Sequence, residues 1–305
     1  MTNAALQHAP RTEEGAPLRH RLAARGYDSV TLLLIPAIAL MIGLFVYPFA
    51  YGLWLSFHPK DGGAWTTEYV KFFTDPFLYD TIGKTMWIAL PVTIVNILIS
   101  IPIAFRVRLM KRQKLLTTIL VLPITLGTVL VAEGLLNYLG PQGWFNRSLM
   151  ALGLISSPVK LVHNFWGVVM SLVITGFPFA FLLTLSYVTG IDPALEQAAA
   201  TLGARAWARF RTIFLPLLAP GLAITFCLVF VQAYSVFPSA VMLGEPAGET
   251  RVISIAAYQA AFEQYDAPLA SAIAIIMGVV QLIVVVAALS LRGLFYRGPA
   301  AGAKG

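Results

Sequence analysis

Six apolar runs, at residues 31–57, 82–105, 115–139, 165–189, 220–243 and 269–291, constrain this chain more than any other feature. Each is near or above the roughly 20 residues that a helix needs to cross a bilayer at ~1.5 Å per residue. Inside hydrocarbon, backbone amides must be bonded within the protein, which leaves helices or closed barrels. Long runs without strict alternation point to helices. Hydrophobic residues form 58% of the chain and charged residues only 11%, a balance suited to lipid. The short polar breaks favour one all-α, polytopic six-helix domain at 30–295, with a polar loop at 190–218 and tails at 1–29 and 296–305.

Lysines and arginines set the orientation, because they are retained on the cytoplasmic side. The first tail carries four, the loop after the second run five, the 190–218 loop three and the last tail three, leaving six of 21 elsewhere. The other loops hold eight of the 14 acidic residues. Six spans with both termini cytoplasmic satisfy every loop. The net charge of +7 is thus a topology signal and a contact with anionic lipid, with no nucleic-acid partner expected. The first run is too long for a signal-peptide core and should stay as an anchor. Cys227 is the single cysteine and cannot form an internal disulfide. His8, His20, His58 and His163 are dispersed outside the spans, so no metal site is expected.

The outer loop from His58 to Thr81 carries aromatic residues suited to headgroups or an external protein, including Trp65, Tyr69, Phe72 and Phe73. A short surface helix is expected from Arg147 to Leu152, and an amphipathic one from Val252 to Glu263. Pro36, Pro48, Pro91, Pro102, Pro123, Pro178 and Pro238 lie within or beside the spans, where they bend helices.

The segment from Ile191 to Pro220 is polar and helical. Asp192 can cap a helix whose first residue is Pro193. Ala194 through Leu202 favours helix, and Gly203 permits the left-handed residue that ends it. A second helical stretch follows, with Trp207, Phe210, Ile213 and Phe214 on one side and Arg205, Arg209 and Arg211 elsewhere. These charges exclude the bilayer interior, and the small alanines suit a partner's groove.

At these residues the chain resembles the permease subunits of binding-protein-dependent ABC importers of type I. Their loop motif reads E-A-A, three residues, G, nine residues, I, one residue, L-P. Ala198, Ala199, Gly203, Ile213, Leu215 and Pro216 fall in register. Gln197 takes the place of the motif's Glu, with Glu196 directly before it. Gly143, Asn146 and Leu149 resemble the family's turn after the third span, and Phe177-Pro178-Phe179 resembles an element of the fourth. Residues 236–244 look like the fifth span's end in the spermidine/putrescine branch.

The resemblance implies the MetI-like permease fold in a bacterial inner membrane. It implies three protein partners: a cytoplasmic ABC ATPase dimer, a second permease subunit, identical or homologous, and a periplasmic or lipid-anchored substrate-binding protein. The ATPase would grip Glu196, Gln197, Ala198, Ala199, Gly203, Arg205, Arg209, Ile213, Leu215 and Pro216. No cofactor is expected in this chain, because ATP is used by the partner. The sequence agrees in having no G-x-x-x-x-G-K-[ST] phosphate loop.

Polar residues inside spans are candidates for the substrate pathway. They are Glu133 and Asn137 on the third span, Asn96 on the second, Thr175 on the fourth, and Gln232 and Ser235 on the fifth. Glu133 has three open readings: a counter-charge for a cationic solute, a salt bridge to a loop lysine, or a group at the headgroup boundary. The Thr93–Asn96–Ser100 and Ser171–Thr175 stripes also suit hydrogen bonds between helices. A lone acid without an intramembrane base favours a cation or a neutral solute over an anion, and together with the branch resemblance this makes a polyamine or similar organic cation the first choice. Ferric ion, an aminophosphonate or another small solute stay open. An ion-gradient-driven transporter is the alternative class and calls for paired broken helices and several buried carboxylates. A membrane enzyme would need a catalytic set in the spans, and the sequence offers none.

Overall fold

The computed structural model describes residues 34–60 and 62–295, so the tails proposed at 1–29 and 296–305 lie outside the described residues. Among the described residues six helices are long and apolar enough to cross a membrane. The chain divides into two compact units, residues 1–54 and 55–305.

The first unit carries most of α1 (Leu34–Ser56), which widens into a π turn at Ile42–Val46. That turn ends two residues before Pro48, whose ring would meet the Leu44 carbonyl in a regular α turn. The same device recurs in the second unit, where a π turn at Phe210–Phe214 ends two residues before Pro216.

The second unit begins with α2 (Thr67–Thr74) and α3 (Pro76–Val107). Asp75 caps α3 by accepting from the Phe77 amide at 2.9 Å. After α4 (Gln113–Leu139) come a short α5 (Trp144–Ala151) and α6 (Phe165–Thr189). Asn164 caps α6 through the Gly167 amide at 2.9 Å. Then follow α7 (Pro193–Thr201), α8 (Ala206–Tyr234), α9 (Pro238–Leu243), α10 at 253–263, and α11 (Ala267–Phe295). Helix α10 is the expected amphipathic segment, and it finishes in a third π turn, Gln259–Glu263.

Two boundaries differ from expectation. The fifth span was expected at 220–243, yet its helix ends at Tyr234 and residues 238–243 form α9. Pro238 has no amide proton to continue the ladder, and its ring pushes Phe237 out of the helical region, to φ −133°. The span also begins earlier, because the arginine-bearing stretch from Ala206 runs into it without a break.

Helix α3 packs along α6, and α8 lies against both and against α11. Lipid offers no hydrophobic drive for such contacts, so close approach through small residues and buried polar pairs matters most. Ala89, Ala104 and Ala180 are fully buried. A Cβ on Gly221 would fall 2.4 Å from the Tyr187 ring, so only glycine lets α8 and α6 meet there. Ser100 and Thr184 bond at 2.9 Å between α3 and α6, and Ser171 and Ser239 at 2.8 Å between α6 and α9. The stripes on α3 and α6 therefore serve helix association in part.

Helix α4 breaks internally at Gly127, whose φ of 72° and ψ of 163° lie outside the helical region. Pro123 marks this helix in the sequence, but the break falls four residues later, where glycine alone accepts such a backbone. At one end of α4, fully buried Asn146 closes the turn into α5. Its amide donates to the carbonyls of Leu139, Gly140 and Val159 at 3.3, 3.0 and 3.1 Å, and its oxygen accepts from the Val159 amide at 2.9 Å.

Candidate coupling arm and solute cavity

The arm is α7 and the start of α8. Asp192 caps it as its sequence position predicts, accepting from the Ala194 amide at 2.8 Å with Pro193 in the first turn. Gly203 ends it at φ +80°. The Gly203 amide bonds Ala200 at 3.0 Å and the Ala204 amide reaches back to Ala199 at 3.0 Å. This pair is the Schellman closure, which requires a left-handed residue at the position Gly203 occupies. Apart from Gly203 itself and its two chain neighbours, no atom of the described residues lies within 4 Å of a Cβ built on Gly203. The constraint within the chain is therefore the backbone angle, while the space beside it is open.

Glu196 takes the ionic role that Gln197 cannot. Its carboxylate accepts from Arg108 Nη2 at 2.5 Å, and Arg209 Nη1 lies 3.6 Å away. Arg108 sits at the end of α3 and also donates to the Val188 carbonyl at 3.4 Å. Its guanidinium lies 5.2 Å from the Phe105 ring and 4.9 Å from that of Phe214. A cluster of Ala104, Val107, Phe181, Leu185, Val188, Phe214 and Leu218 supports this corner. Arg108 was counted in the sequence only as a topology charge. The excess of basic residues after the second span gave no means to single it out.

Gln197 is exposed and lines a cavity of about 470 Å³ together with Arg108, Glu196 and Arg209. Of the other arm residues, Ala198, Arg205, Leu215 and Pro216 are exposed, while Ala199 and Ile213 are half-buried. Leu202 and Trp207, at 88% and 71% exposure, form a large bare apolar surface on the arm.

Deeper in the second unit, Asn96, Thr175, Gln232 and Ser235 come together as the wall of one cavity of about 310 Å³. Thr128, next to the α4 break, and Phe237 and Ser239, beyond the end of α8, complete its polar and aromatic lining. The Thr175 hydroxyl donates to the Ser171 carbonyl at 2.9 Å, and the Asn96 amide to the Leu172 carbonyl at 3.4 Å. Asn96 Oδ1 is buried and has no partner. Ser235 Oγ receives the Gln281 amide at 2.8 Å. Gly176 makes room for Asn96, since a Cβ there would stand 2.6 Å from the amide nitrogen.

Glu133 and Asn137 lie elsewhere. Both are exposed on α4, outside this lining, and Asn137 donates to the Glu133 carboxylate at 3.0 Å. Among the described residues Glu133 forms no ion pair.

The far end of the bundle, opposite the arm, holds one cation that composition alone did not single out. Arg251, 2% exposed, donates to the Phe77 carbonyl and to Gln259 Oε1, the latter at 2.7 and 3.2 Å, and covers the Phe77 ring at 3.6 Å. Burial pushes its pKa down, and the charges of Asp75 and Glu263 pull it up.

Apolar spanning helices, a glycine-broken arm at one end and a polar cavity between helices define a polytopic membrane transport subunit. Residues 93–297 match the family described as binding-protein-dependent transport system inner membrane component, and the chain belongs to that family. It is 29% identical over 197 residues to the spermidine/putrescine permease PotB of Haemophilus influenzae, covering 62% of this chain and 69% of that one. It is 26% identical over 254 residues to the trehalose permease SugA of Mycobacterium tuberculosis, covering 81% and 82%. A bacterial alginate ABC transporter, solved with an alginate pentasaccharide-bound periplasmic protein, shares the fold with a TM-score of 0.78 at 22% identity, over 93% and 99% of the chains. The MetNI methionine transporter shares it with a TM-score of 0.58 at 13% identity, over 72% and 97%.

Proposed function

We propose that this ABC importer permease forms half of a pathway for an organic ammonium solute of the polyamine type and is driven through its 196–216 loop. The arm end faces the cytoplasm in this reading, as the basic loops require, and both termini lie there. A cytoplasmic ATPase dimer grips the bare surface around Leu202 and Trp207 and hydrolyses the ATP. A second permease subunit supplies the other half of the pathway, and a periplasmic or lipid-anchored binding protein delivers the solute.

The observation that carries the substrate class is the hydrogen-bond state of the 310 Å³ cavity. The Thr175 hydroxyl has committed its proton, and the Asn96 amide one of its two, to backbone carbonyls, and Asn96 Oδ1 is left as a buried acceptor without a donor. An ammonium group has three donors and no acceptor, so it complements such a wall. Uptake of radiolabelled putrescine into proteoliposomes holding the complete importer, with and without internal ATP, tests this directly. ATP-dependent uptake that excess trehalose leaves unaltered supports it. Uptake of trehalose but not putrescine would replace the substrate class and leave the permease role standing.

A second reading, an uncharged polyol, draws support from the absence of carboxylates in the cavity lining and from the wider coverage of the trehalose relative. The same uptake experiment separates the two.

A further inference from the structure

A third cavity, of about 420 Å³, opens at the far end of the bundle between α10 and α11. Its walls are small residues, among them Ala257, Ala261 and Ala274, and three rings stand along it. Phe237 and Tyr258 have centroids 5.1 Å apart, and Tyr258 and Phe262 have centroids 5.0 Å apart. Tyr258 and Phe262 are 43% and 64% exposed. Among the described residues no lysine or arginine lies over these rings, since the three guanidinium–ring stacks are made by Arg108, on Phe105 and Phe214, and by Arg251, on Phe77. Phe237 lines this cavity and the 310 Å³ polar cavity alike. Its position is fixed through the neighbouring residue, because the Ser254 hydroxyl of α10 donates to the Val236 carbonyl.

We propose that Phe262, Tyr258 and Phe237 form a second solute site, a ladder of rings that receives an organic ammonium ion and passes it to the polar cavity. The inference rests on the ammonium reading of that cavity. Aromatic faces attract ammonium groups within about 6 Å of the centroid, and rings at this spacing let a cation leave one face while engaging the next. The methylene spacer of a diamine finds the alanine wall. Glu263, exposed beside Phe262, adds negative potential at the open end, although part of its field is met by the Arg251 charge. The basic residues nearby are engaged: Lys71 with Asp266 at 2.8 Å, Lys60 with the Tyr265 carbonyl at 3.2 Å, Lys84 with Asp80 at 3.5 Å, and Arg251 with Gln259 at 2.7 Å.

The test is putrescine uptake by the complete importer in proteoliposomes, comparing wild type with Tyr258→Leu/Phe262→Leu and with the ring-preserving Tyr258→Phe/Phe262→Tyr. The leucine pair should raise the half-saturating putrescine concentration by about 2- to 30-fold, while the ring-preserving pair stays within about twofold of wild type. ATPase co-purification should be unaltered in both. Wild-type uptake with an unaffected leucine pair would overturn the ladder alone. A leucine pair that no longer assembles with the second permease would overturn it too, by making this face a subunit contact. Absence of putrescine uptake in the wild type would overturn the ammonium reading and the ladder with it.

Discussion

Arg108 and Glu196 meet at 2.5 Å although 88 residues separate them in sequence. One ends a spanning helix and the other lies in the first turn of the arm, so their contact joins the arm to the bundle. Arg108 retains only 10% side-chain exposure and Glu196 retains 31%. Removing the acid leaves a mostly buried cation without its nearest counter-charge, which is costlier than losing a surface pair. Glu196→Gln should lower stability by about 1–2 kcal/mol after allowing for the acid's exposure. It should also reduce ATPase co-purification. A thermal melt of the purified subunit and a pull-down measure the two effects, and wild-type values in both would remove Glu196 from the arm's anchorage.

Gly203 makes a separate prediction, because its constraint is an angle. At φ +80° a β-carbon costs about 1 kcal/mol, and asparagine tolerates the conformation better than other side chains. With open space around the residue, Gly203→Asn should keep most ATPase binding and Gly203→Val should lose it. Gly203→Asp should insert normally yet uncouple hydrolysis from uptake. Equal pull-down yields for asparagine and valine would show that the left-handed turn is not what the ATPase reads.

At the cavity, Gly176→Ala should act as an indirect lesion of Asn96. The added methyl falls 2.6 Å from the Asn96 amide nitrogen, and overpacking of this kind costs about 1–3 kcal/mol. Uptake should fall about tenfold in Gly176→Ala, and further in Asn96→Leu, which removes the free acceptor. Glu133→Gln should weaken uptake less than either, since Glu133 lies outside the lining. A Glu133 variant as impaired as Asn96→Leu would reverse that ranking.

Arg251 should be a stability residue at the far end. Arg251→Met removes its bonds to the Phe77 carbonyl and Gln259 together with the buried charge. The expected loss is about 1–3 kcal/mol, read as a lower melting temperature, with the arm's ATPase binding intact. Loss of ATPase binding at an unaltered melting temperature would contradict this assignment.

The four cavity-lining residues Asn96, Thr175, Gln232 and Ser235 drew notice in the sequence because a polar side chain in hydrocarbon demands a reason. Glu133 carried the same signal and lies outside the wall, since helical spacing fixes a residue's depth without fixing which neighbour its face meets. Arg108 was hidden for the opposite reason: positive charge at a cytoplasmic helix end is expected everywhere, so its stacking on Phe214 and bond to Glu196 left no mark in composition. The end of α8 was misread because apolar residues continue through Val236 and Phe237, and the hydropathy of 220–243 does not register a missing amide at Pro238.

What the chain determines alone is local: six lengths of helix set by bilayer thickness, the Asp192 cap, the left-handed stop at Gly203, and polar groups placed by depth. Those follow from backbone bonding and solvent, which act on neighbours in sequence. Which polar groups share a cavity, which acid holds Arg108, and which three rings line one groove were decided only when helices packed. Such contacts depend on how helices rotate against one another, a choice made by glycine gaps and buried hydrogen bonds spread across distant segments.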